Sequence, residues 1–430
     1  MNILFLTQVL PYPLDAGPKV RAYYVLRHLA QRHPVTLVSF VRPTDTPAAV
    51  AHLRSFCQAV HTVPMPRSRA RDAVHLLRSL VTGQPFMIAR DWVPVMARLL
   101  RELTTDTSYG TIHADQLWMA PYALQAQAPA AGGRRPALIL DQHNAVHLIP
   151  RRLAQGEGHP VKRLLLEREA RVMARYEVAA CRRFDTVVWV TEEDRRAVAA
   201  AADSVSRSPH SALGVRHSAF AGPVIPICGD AQATAVIPRC PGGRRVTFLG
   251  GLHWPPNAQG LLWFARRVFP LVLRACPDAV LTVIGRDAPA AVLSAGLPDA
   301  SLDVTGYVAD PTPYLRETAA FVVPLLAGGG MRVKIIDAWL WGLPVVSTTI
   351  GAEGIAIRQG ENIVIADSPE AFAQATVRLL QDPAEGQRLG QAGRLWAEEH
   401  YNWRVTYKLW DSVYPADRAW TGTETGGGPA

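Results

Sequence analysis

The sequence contains few cysteines, and they form no recognisable pattern. Five cysteines are scattered over 430 residues, the number is odd, and no two of them form a Cys-x-x-Cys motif. This pattern argues against a disulfide framework and against a structural zinc site. It is typical of a reducing compartment, and we therefore expect a cytoplasmic protein.

Long hydrophobic runs are also lacking. One of the longest apolar stretches, residues 319–326, is far shorter than the ~20 residues that cross a bilayer. The first ten residues are apolar but have no cationic start and no small-residue cleavage site, which predicts a first strand rather than a signal peptide. Hydrophobic residues still make up 49% of the chain, and its length favours two domains.

Lysine is scarce, so the net charge of +9 comes almost wholly from arginine. Only four of the 45 basic residues are lysines. Arginine suits bidentate contacts with phosphate, but a general composition bias would give the same count. The basic pairs are dispersed and are not interleaved with aromatic residues, so the sequence does not favour nucleic-acid binding.

Short apolar segments alternate with longer amphipathic segments along the chain, which predicts parallel sheets covered by helices. The pattern starts again at Arg245, after a connection rich in Pro and Gly. We expect an α/β protein with two Rossmann-like, doubly wound domains that face a cleft, and a mobile loop at 201–221. The expected segments are a first domain at 1–223, a second domain at 244–400, a helix at 401–416 that packs on the first domain, and a flexible tail at 417–430.

A glycine-rich loop between a predicted strand and a predicted helix is the richest candidate site. Three glycines at 328–330 precede Arg332 and Lys334 at the start of the helix. Close backbone approach, a helix N-terminus and two cations together suit a diphosphate. The alternative is a flexible turn before a solvated helix on which Lys334 pairs with Asp337. No P-loop motif is present and no G-x-G-x-x-G follows the first strand, which disfavours nucleotide hydrolysis and dinucleotide redox chemistry.

Residues 328–355 resemble the donor-site segment of retaining glycosyltransferases of family four, and in particular the sugar transferases of bacterial exopolysaccharide clusters. The resemblance implies the GT-B fold, with an acceptor-side first domain and a second domain that binds the nucleotide sugar. It extends to short segments along most of the chain, namely 15–17, 190–194, 248–251, 256–257, 283–286 and 304–308.

The resemblance also implies roles for individual residues. In this family an E-x7-E motif places two acidic residues around the donor; the second, which contacts the ribose, corresponds here to Asp337. The first corresponds to Gly329, so this sequence lacks that sugar contact. Because the loop after the first strand of the second domain has no cation, Arg332 and Lys334 are expected to neutralise the diphosphate. The remaining implied donor-binding residues are Gly17, Gly251, Arg286, Gly329, Gly330, Met331 and Glu353.

Two histidines follow predicted strands of the first domain. His113 matches the family's histidine near the donor sugar, and with Arg332 and Lys334 it completes the expected catalytic set. His143, together with Asn144, is a candidate for the acceptor side. For both His113 and His143, the alternative is a structural histidine whose hydrogen bonds are made within the protein. No group of His, Cys or Glu has metal-ligand spacing, and Asp-x-Asp is absent, so we expect no metal and no cofactor.

The sequence thus predicts a glycosyltransferase that moves a sugar from a nucleotide diphosphate sugar to a glycan or lipid-linked acceptor in bacterial exopolysaccharide synthesis. The resemblance implies that it retains the anomeric configuration without a metal. Two alternatives stay open. One is a GT-B sugar-nucleotide epimerase, and the other is a non-catalytic scaffold that binds sugar nucleotides, which the missing glutamate favours slightly.

A basic segment at 67–71 precedes a helix-like stretch with leucines and valines at 74–81. Such an arrangement can lie on an anionic bilayer, so we expect peripheral contact with the inner face of the membrane. A core helix with a solvated basic lead-in is an equally good interpretation.

Overall fold

A computed structural model describes residues 1–127, 135–206, 220–240 and 242–414. In these residues the chain forms two six-stranded sheets in which all paired strands run parallel. The first sheet has the strand order β3-β2-β1-β4-β5-β6. Its strands are β1 (Ile3–Thr7), β2 (Val35–Val41), β3 (Ala59–Pro64), β4 (Thr111–Asp115), β5 (Ala137–Gln142) and β6 (Thr186–Trp189).

Helices connect these strands and cover the first sheet. Parallel neighbours need such crossovers, because the chain must return to the same end of the sheet. The helices are α1 (Gly17–Ala30), α2 (Pro47–Arg54), α3 (Arg69–Thr82), α4 (Phe86–Arg90), α5 (Pro94–Asp106), α6 (Ala120–Ala126), α7 (Leu148–Gly156), α8 (Pro160–Cys181) and α9 (Glu192–Ser206).

The second sheet has the order β12-β11-β10-β7-β8-β9. Its strands are β7 (Arg245–Leu249), β8 (Val280–Ile284), β9 (Leu302–Gly306), β10 (Thr318–Val323), β11 (Val345–Ser347) and β12 (Val364–Ile365). The helices that follow α9 are α10 (Pro255–Trp263), α11 (Phe269–Ala275), α12 (Ala290–Leu293), α13 (Thr312–Arg316), α14 (Val333–Leu340), α15 (Pro369–Gln381), α16 (Pro383–His400), α17 (Trp403–Thr406) and α18 (Trp410–Val413).

The central strands are buried along their whole length, which explains their nearly continuous apolar sequences. All five residues of β1 and all six of β10 are buried. Strands that are covered on both faces lose the alternation of polar and apolar residues. The alternation of strand and helix that the sequence predicts is therefore confirmed.

One apolar core joins the two halves. It includes Phe5 and Leu26 from the first half and Ile336 and Trp339 of α14 from the second. At the start of α1, the backbone of Gly17 lies directly against Val333 of α14. Helices α1 and α14 therefore meet at the cleft between the sheets.

The chain returns to the first half after α16. Residues 403–413 form short helical turns, α17, a 3-10 turn (Tyr407–Leu409) and α18, rather than a single helix. The rings of Tyr407 and Trp410 lie 5.5 Å and 5.0 Å from the guanidinium of the buried Arg21. These aromatic residues thus cover a charged group of α1.

The structure corrects the loop predicted at 201–221, adds one strand and does not describe the predicted tail. The mobile loop expected at 201–221 is wrong in its first part, because α9 continues to Ser206. The sequence analysis also missed β3, an edge strand in which the polar residues His61 and Thr62 interrupt the apolar pattern. Residues 207–219 and the tail at 417–430 lie outside the described residues.

Each sheet has one point where successive strands are added on opposite sides of its first strand. These switch points lie between β1 and β4 and between β7 and β10. In open parallel sheets, ligands bind outside the carboxyl ends of the strands at such points.

Candidate functional site

The glycine loop predicted from the sequence leaves β10 at the second switch point and crosses to the first half. Gly330 has φ +73°, a conformation that favours glycine. A Cβ at this position would lie 2.9 Å from the His143 carbonyl oxygen and 2.9 Å from the Asn144 Cβ. The structure therefore brings Gly329 and Gly330 together with the two residues predicted for the acceptor side.

Arg332 lies at this loop but turns back onto it. Its Nη1 donates to the carbonyl oxygens of Gly329, at 2.6 Å, and Gly330. Burial lowers the pKa of Arg332 to about 10, although the negative charges of Glu353 and Asp194 act in the opposite direction. The side chain is 8% exposed and holds the loop in shape, so its guanidinium is not free to act as the predicted clamp in this conformation.

Lys334 points in a different direction, toward the loop that leaves β7. Its Nζ donates to Asn257 Oδ1 at 3.1 Å and lies 4.4 Å from the centroid of the Phe248 ring. Burial and the charge of Arg332 lower the pKa of Lys334 to about 7, against the effect of Asp337. The structure thus separates the two cations that the sequence placed in one clamp.

Asp337 lies one turn further along α14, half-buried between the two halves. Burial raises the pKa of its carboxyl group to about 7, and the charge of Lys334 acts in the opposite direction. Lys334 donates to Asn257 rather than to Asp337, so the pairing offered as the structural alternative is not formed.

Glu353 is engaged by an arginine of the first half. Arg152 of α7 donates to Glu353 Oε2 at 2.5 Å and to Oε1 at 2.6 Å. The same guanidinium donates to the Gly328 carbonyl oxygen. Because Arg152 occupies both carboxylate oxygens, the predicted contact of Glu353 with the donor would compete with this ion pair.

The other predicted donor residues lie around the same switch point. Gly251 follows β7, and its carbonyl oxygen accepts from Asn257 Nδ2 at 2.8 Å. Arg286 follows β8, is exposed, and stacks on Tyr307 with 4.1 Å between guanidinium carbon and ring centroid. Met331 is buried, and Gly17, at the start of α1, lies against Val333.

His113 lies inside the first half and not on the surface of the cleft. It is fully buried, stacks on Phe5 with 4.1 Å between ring centroids, and its Nδ1 lies 2.6 Å from the Tyr414 hydroxyl. Burial lowers the pKa of His113 to about 4, despite the nearby carboxylate of Asp141. A neutral, enclosed imidazole fits the structural alternative better than contact with a substrate.

His143 lies nearer the cleft and belongs to a charged cluster. Its Nε2 donates to Asp115 Oδ1 at 2.9 Å and lies 3.6 Å from Asp141 Oδ2. Burial lowers the pKa of His143, but these two carboxylates more than offset that effect and raise it to about 9. Among the described residues, His143 Nδ1 and Asn144 Oδ1 have no hydrogen-bond partner. Both atoms thus lack a partner beside the glycine loop.

Asp141 is held by Arg21, which the sequence gave no reason to single out. The guanidinium contacts both carboxylate oxygens at 2.9 Å and donates to the carbonyl oxygens of Ile225 and Pro226. Burial opposes the charge of Asp141, yet Arg21 and His143 hold its pKa well below the usual range. Sequence reasoning also gave no role to Asp115, Arg152 and Asn257. Asp115 had a signal in its position at a strand end, and Asn257 had one in the resembling segment 256–257, whereas Arg152 had neither.

Ligand atoms of His113, Asp115 and Asp141 lie within 4.8 Å of one another, close enough to hold a metal ion. However, the positive charges of Arg21 and His143 already face the two carboxylates. The donor set therefore fits a protein ion-pair cluster better than a cation site.

Comparisons with known proteins point to one class of enzyme. Residues 243–382 match the family described as glycosyl transferases group 1. A 44.6 kDa uncharacterised protein of the cps region of Klebsiella pneumoniae is 27% identical over 176 residues, which are 39% of this chain and 45% of that protein. The phosphatidyl-myo-inositol mannosyltransferase of Mycobacterium leprae is 28% identical over 177 residues, 40% of this chain and 46% of that protein. The chain thus matches about half the length of these curated relatives.

Among solved structures, Anabaena Alr3699/HepE in complex with UDP and glucose superposes with a TM-score of 0.64 and 14% identity, covering 97% of this chain and 100% of that one. The two sheets with their flanking helices therefore form the GT-B architecture, and residues 243–382 are similar to a family of glycosyltransferases. The fold predicted from the sequence is thus confirmed, and the family match agrees with the predicted enzyme class. In the part of the chain that the structure describes, no helix combines the length and apolar character needed to span a membrane.

Proposed function

We propose that the protein transfers a sugar from a nucleotide diphosphate sugar to a hydroxyl group of a glycan or lipid-linked acceptor, as a step in bacterial exopolysaccharide synthesis. The cps-region relative supports the pathway, and the UDP complex of a structural neighbour supports the type of donor. The observation that carries the proposal is the position of the glycine loop and Lys334, at the second switch point and within the matched region 243–382.

In this proposal Lys334 and the amides at the start of α14 stabilise the charge that grows on the diphosphate as the glycosidic bond breaks. Preorganised cations and amides are effective there because they need little reorganisation during the reaction. Binding of the diphosphate would in turn favour the charged form of Lys334, whose pKa burial lowers to about 7. Asp337 is proposed to accept hydrogen bonds from the ribose hydroxyls.

Arg332 has a supporting role in this scheme. It holds the carbonyl oxygens of the glycine loop, so that the opposite side of the loop can present its amides to the donor. Because Gly329 stands where the family has a glutamate, these amides would replace the missing side-chain contact with the sugar.

We propose that the reaction retains the anomeric configuration and proceeds without a metal or a cofactor. In such front-face chemistry the leaving diphosphate accepts the proton of the acceptor hydroxyl, so no paired carboxylates are required at the cleft. We propose that His143 and Asn144 contact the acceptor, and their unpartnered polar atoms support this role.

The proposal is tested by incubating the protein with uridine, guanosine and adenosine diphosphate sugars that carry a labelled sugar, with bacterial glycolipid extract as acceptor. We expect label in the glycolipid or polymer fraction with one donor class, and NMR of the product should show the donor's anomeric configuration. Epimerised free sugar or nucleotide sugar would instead support the epimerase. Binding without turnover would support the scaffold.

A specific surface feature supports the proposed membrane contact. Helix α3 leaves its apolar side chains in solvent, with Leu77 65% and Val81 81% exposed. The neighbouring start of α8 exposes Leu164 as well, and Lys162 and Arg163 lie beside it. Apolar side chains flanked by cations suit the interface of an anionic membrane.

Sedimentation with phosphatidylglycerol vesicles and with phosphatidylcholine vesicles tests this contact. We expect salt-sensitive binding to the anionic vesicles only, reduced by Leu77→Ser with Val81→Ser. The matched control is Leu293→Ser with Leu395→Ser, which removes exposed apolar side chains elsewhere. Equal sedimentation of both double variants would contradict the assignment.

A further inference from the structure

The loop that leaves β7, residues 250–254, contains no arginine or lysine. A cation lies there nonetheless, because Lys334 extends from α14 to this loop. A Cβ on Gly250 would come within 2.7 Å of Lys334 Nζ, so the ammonium group fills the space beside the glycine backbone. The positive charge at the end of β7 thus comes from Lys334 of helix α14.

Asn257, in the first turn of α10, connects this loop to the ammonium group. Its Nδ2 donates to the Gly251 carbonyl oxygen at 2.8 Å, and its Oδ1 accepts from Lys334 Nζ at 3.1 Å. A carboxamide has one donor end and one acceptor end. Because Gly251 takes the donor end, the acceptor end must face Lys334. The side chain is 9% exposed, so its orientation is fixed by packing as well.

The ammonium group has few other partners. Among the described residues Asn257 is its one hydrogen-bond acceptor, and the Phe248 ring adds a cation–π contact. The charged groups that face it are Arg332, which disfavours its protonated form, and Asp337, which favours it. At least one of its three N–H donors therefore stays available for an incoming anion.

We propose that Asn257 is a positioning residue for the sugar nucleotide: it holds the Lys334 ammonium group at the carboxyl end of β7, where the donor diphosphate would bind, and favours its charged form. This inference rests on the proposed function. Asn257 acts through Lys334 and contacts no reacting atom itself. A purely structural Asn257 would only fix the β7 loop and would not couple to Lys334.

Calorimetry on the full chain between pH 6 and 8.5 tests the inference, with inorganic pyrophosphate, UDP, GDP and ADP as probes. Asn257→Leu removes the acceptor at similar size, so it should weaken binding about tenfold at pH 8 and less at pH 6, where Lys334 is charged in either protein. Asn257→Asp places a carboxylate beside the ammonium group, which raises the pKa of Lys334 and should shift the loss of binding to higher pH.

A double-mutant cycle separates positioning from structure. With Lys334→Met in the background, Asn257→Leu should change affinity less than twofold. An equal loss in both backgrounds, or wild-type affinity and pH dependence in Asn257→Leu, would overturn the inference. If Asn257→Leu does not fold, the nearly isosteric Asn257→Asp carries the test through its pH profile. If wild type binds none of the four probes, the proposed function itself fails. If the probes bind but substitution of Asn257 leaves their affinity unchanged, only this inference fails.

Discussion

Both sheets bring charged side chains to the carboxyl ends of their central strands. Those of the first sheet are buried and paired, whereas Lys334 and Asp337 of the second are half-buried and have no ionic partner among the described residues. In the first, Asp141 is held by Arg21 and Asp115 by His143. In the second, Lys334 has a neutral partner, and burial moves the pKa of both Lys334 and Asp337 to about 7. Buried charges without ionic partners are costly, so they are expected where a ligand will supply the missing partner.

The largest effect should come from breaking a pair in the first sheet. Arg21→Met leaves the carboxylate of Asp141 buried without its cation, which should cost about 3–5 kcal/mol of stability. Urea unfolding measures this loss. The control is Arg163→Met, which breaks an exposed pair with Glu167 and should change stability little. Similar midpoints for the two variants would show that the first cluster is not as tightly paired as we infer.

The two histidines of the first half should respond to pH in opposite ways. The pKa of His143 is raised to about 9, so its contribution to stability is full below pH 6.5 and is lost as the pH rises through 9. His143→Gln should therefore cost roughly 3 kcal/mol more at pH 6 than at pH 9.5.

The pKa of His113 is lowered to about 4, so its contribution is present above pH 6.5 and is lost as the pH falls toward 4. NMR titration of the imidazole signals measures the direction of both pKa shifts, that of His143 and that of His113. A neutral His143 at pH 7.5 or a charged His113 at pH 6 would contradict the pairing scheme.

Sequence reasoning succeeded where the signal was local and failed where partners were distant. Apolar runs such as that of β1 predict buried strands directly. Arg21 looks like an ordinary helix surface residue, because its partners Asp141 and Ile225 lie 120 and 204 positions away. Arg332 was predicted to face a phosphate, but the curled glycine loop offers it carbonyl oxygens two and three residues back. No local sequence pattern indicates that these carbonyl oxygens compete with a phosphate for Arg332.

Removing the cation of the second sheet should affect binding more than folding. Lys334→Met should weaken binding of the cognate nucleoside diphosphate by about 10–150-fold, the range for one charge-assisted contact of ~1.5–3 kcal/mol. The loss should shrink as the pH rises above 7, because wild-type Lys334 then loses its own charge. Calorimetry at pH 6 and pH 8.5 measures it; a pH-independent loss would mean that Lys334 does not titrate near neutrality.

Removing both unpaired groups should stabilise the protein. Burial raises the pKa of Asp337, which destabilises the fold as the pH rises from 4 to 7, and burial lowers the pKa of Lys334, which destabilises it as the pH falls from 10 to 7. The two costs add near pH 7. Lys334→Met with Asp337→Asn should therefore gain about 1–2 kcal/mol at pH 7, and less at pH 5 and pH 9. Thermal melts at the three pH values decide this; a double variant less stable than wild type at pH 7 would refute it.

The smallest effect should come from the contact across the cleft. Arg152 and Glu353 are half-buried, so Arg152→Ala should cost at most about 1 kcal/mol. The measurement is a double-mutant cycle with Glu353→Gln, in which the second substitution should add little to the first. Independent, additive losses would show that the pair does not hold the two halves together.

The way the C-terminal segment covers Arg21 has a consequence for synthesis of the chain. Residues 403–414 leave the ribosome after both sheets, yet their aromatic rings cover Arg21, and the Tyr414 hydroxyl contacts His113. At 5–20 residues per second, roughly 10–40 s separate β6 from this segment. During that interval the first half exists with its charged centre uncovered. The newly made first half should therefore depend on chaperones, and a chain truncated before residue 403 should be degraded even though both sheets are encoded.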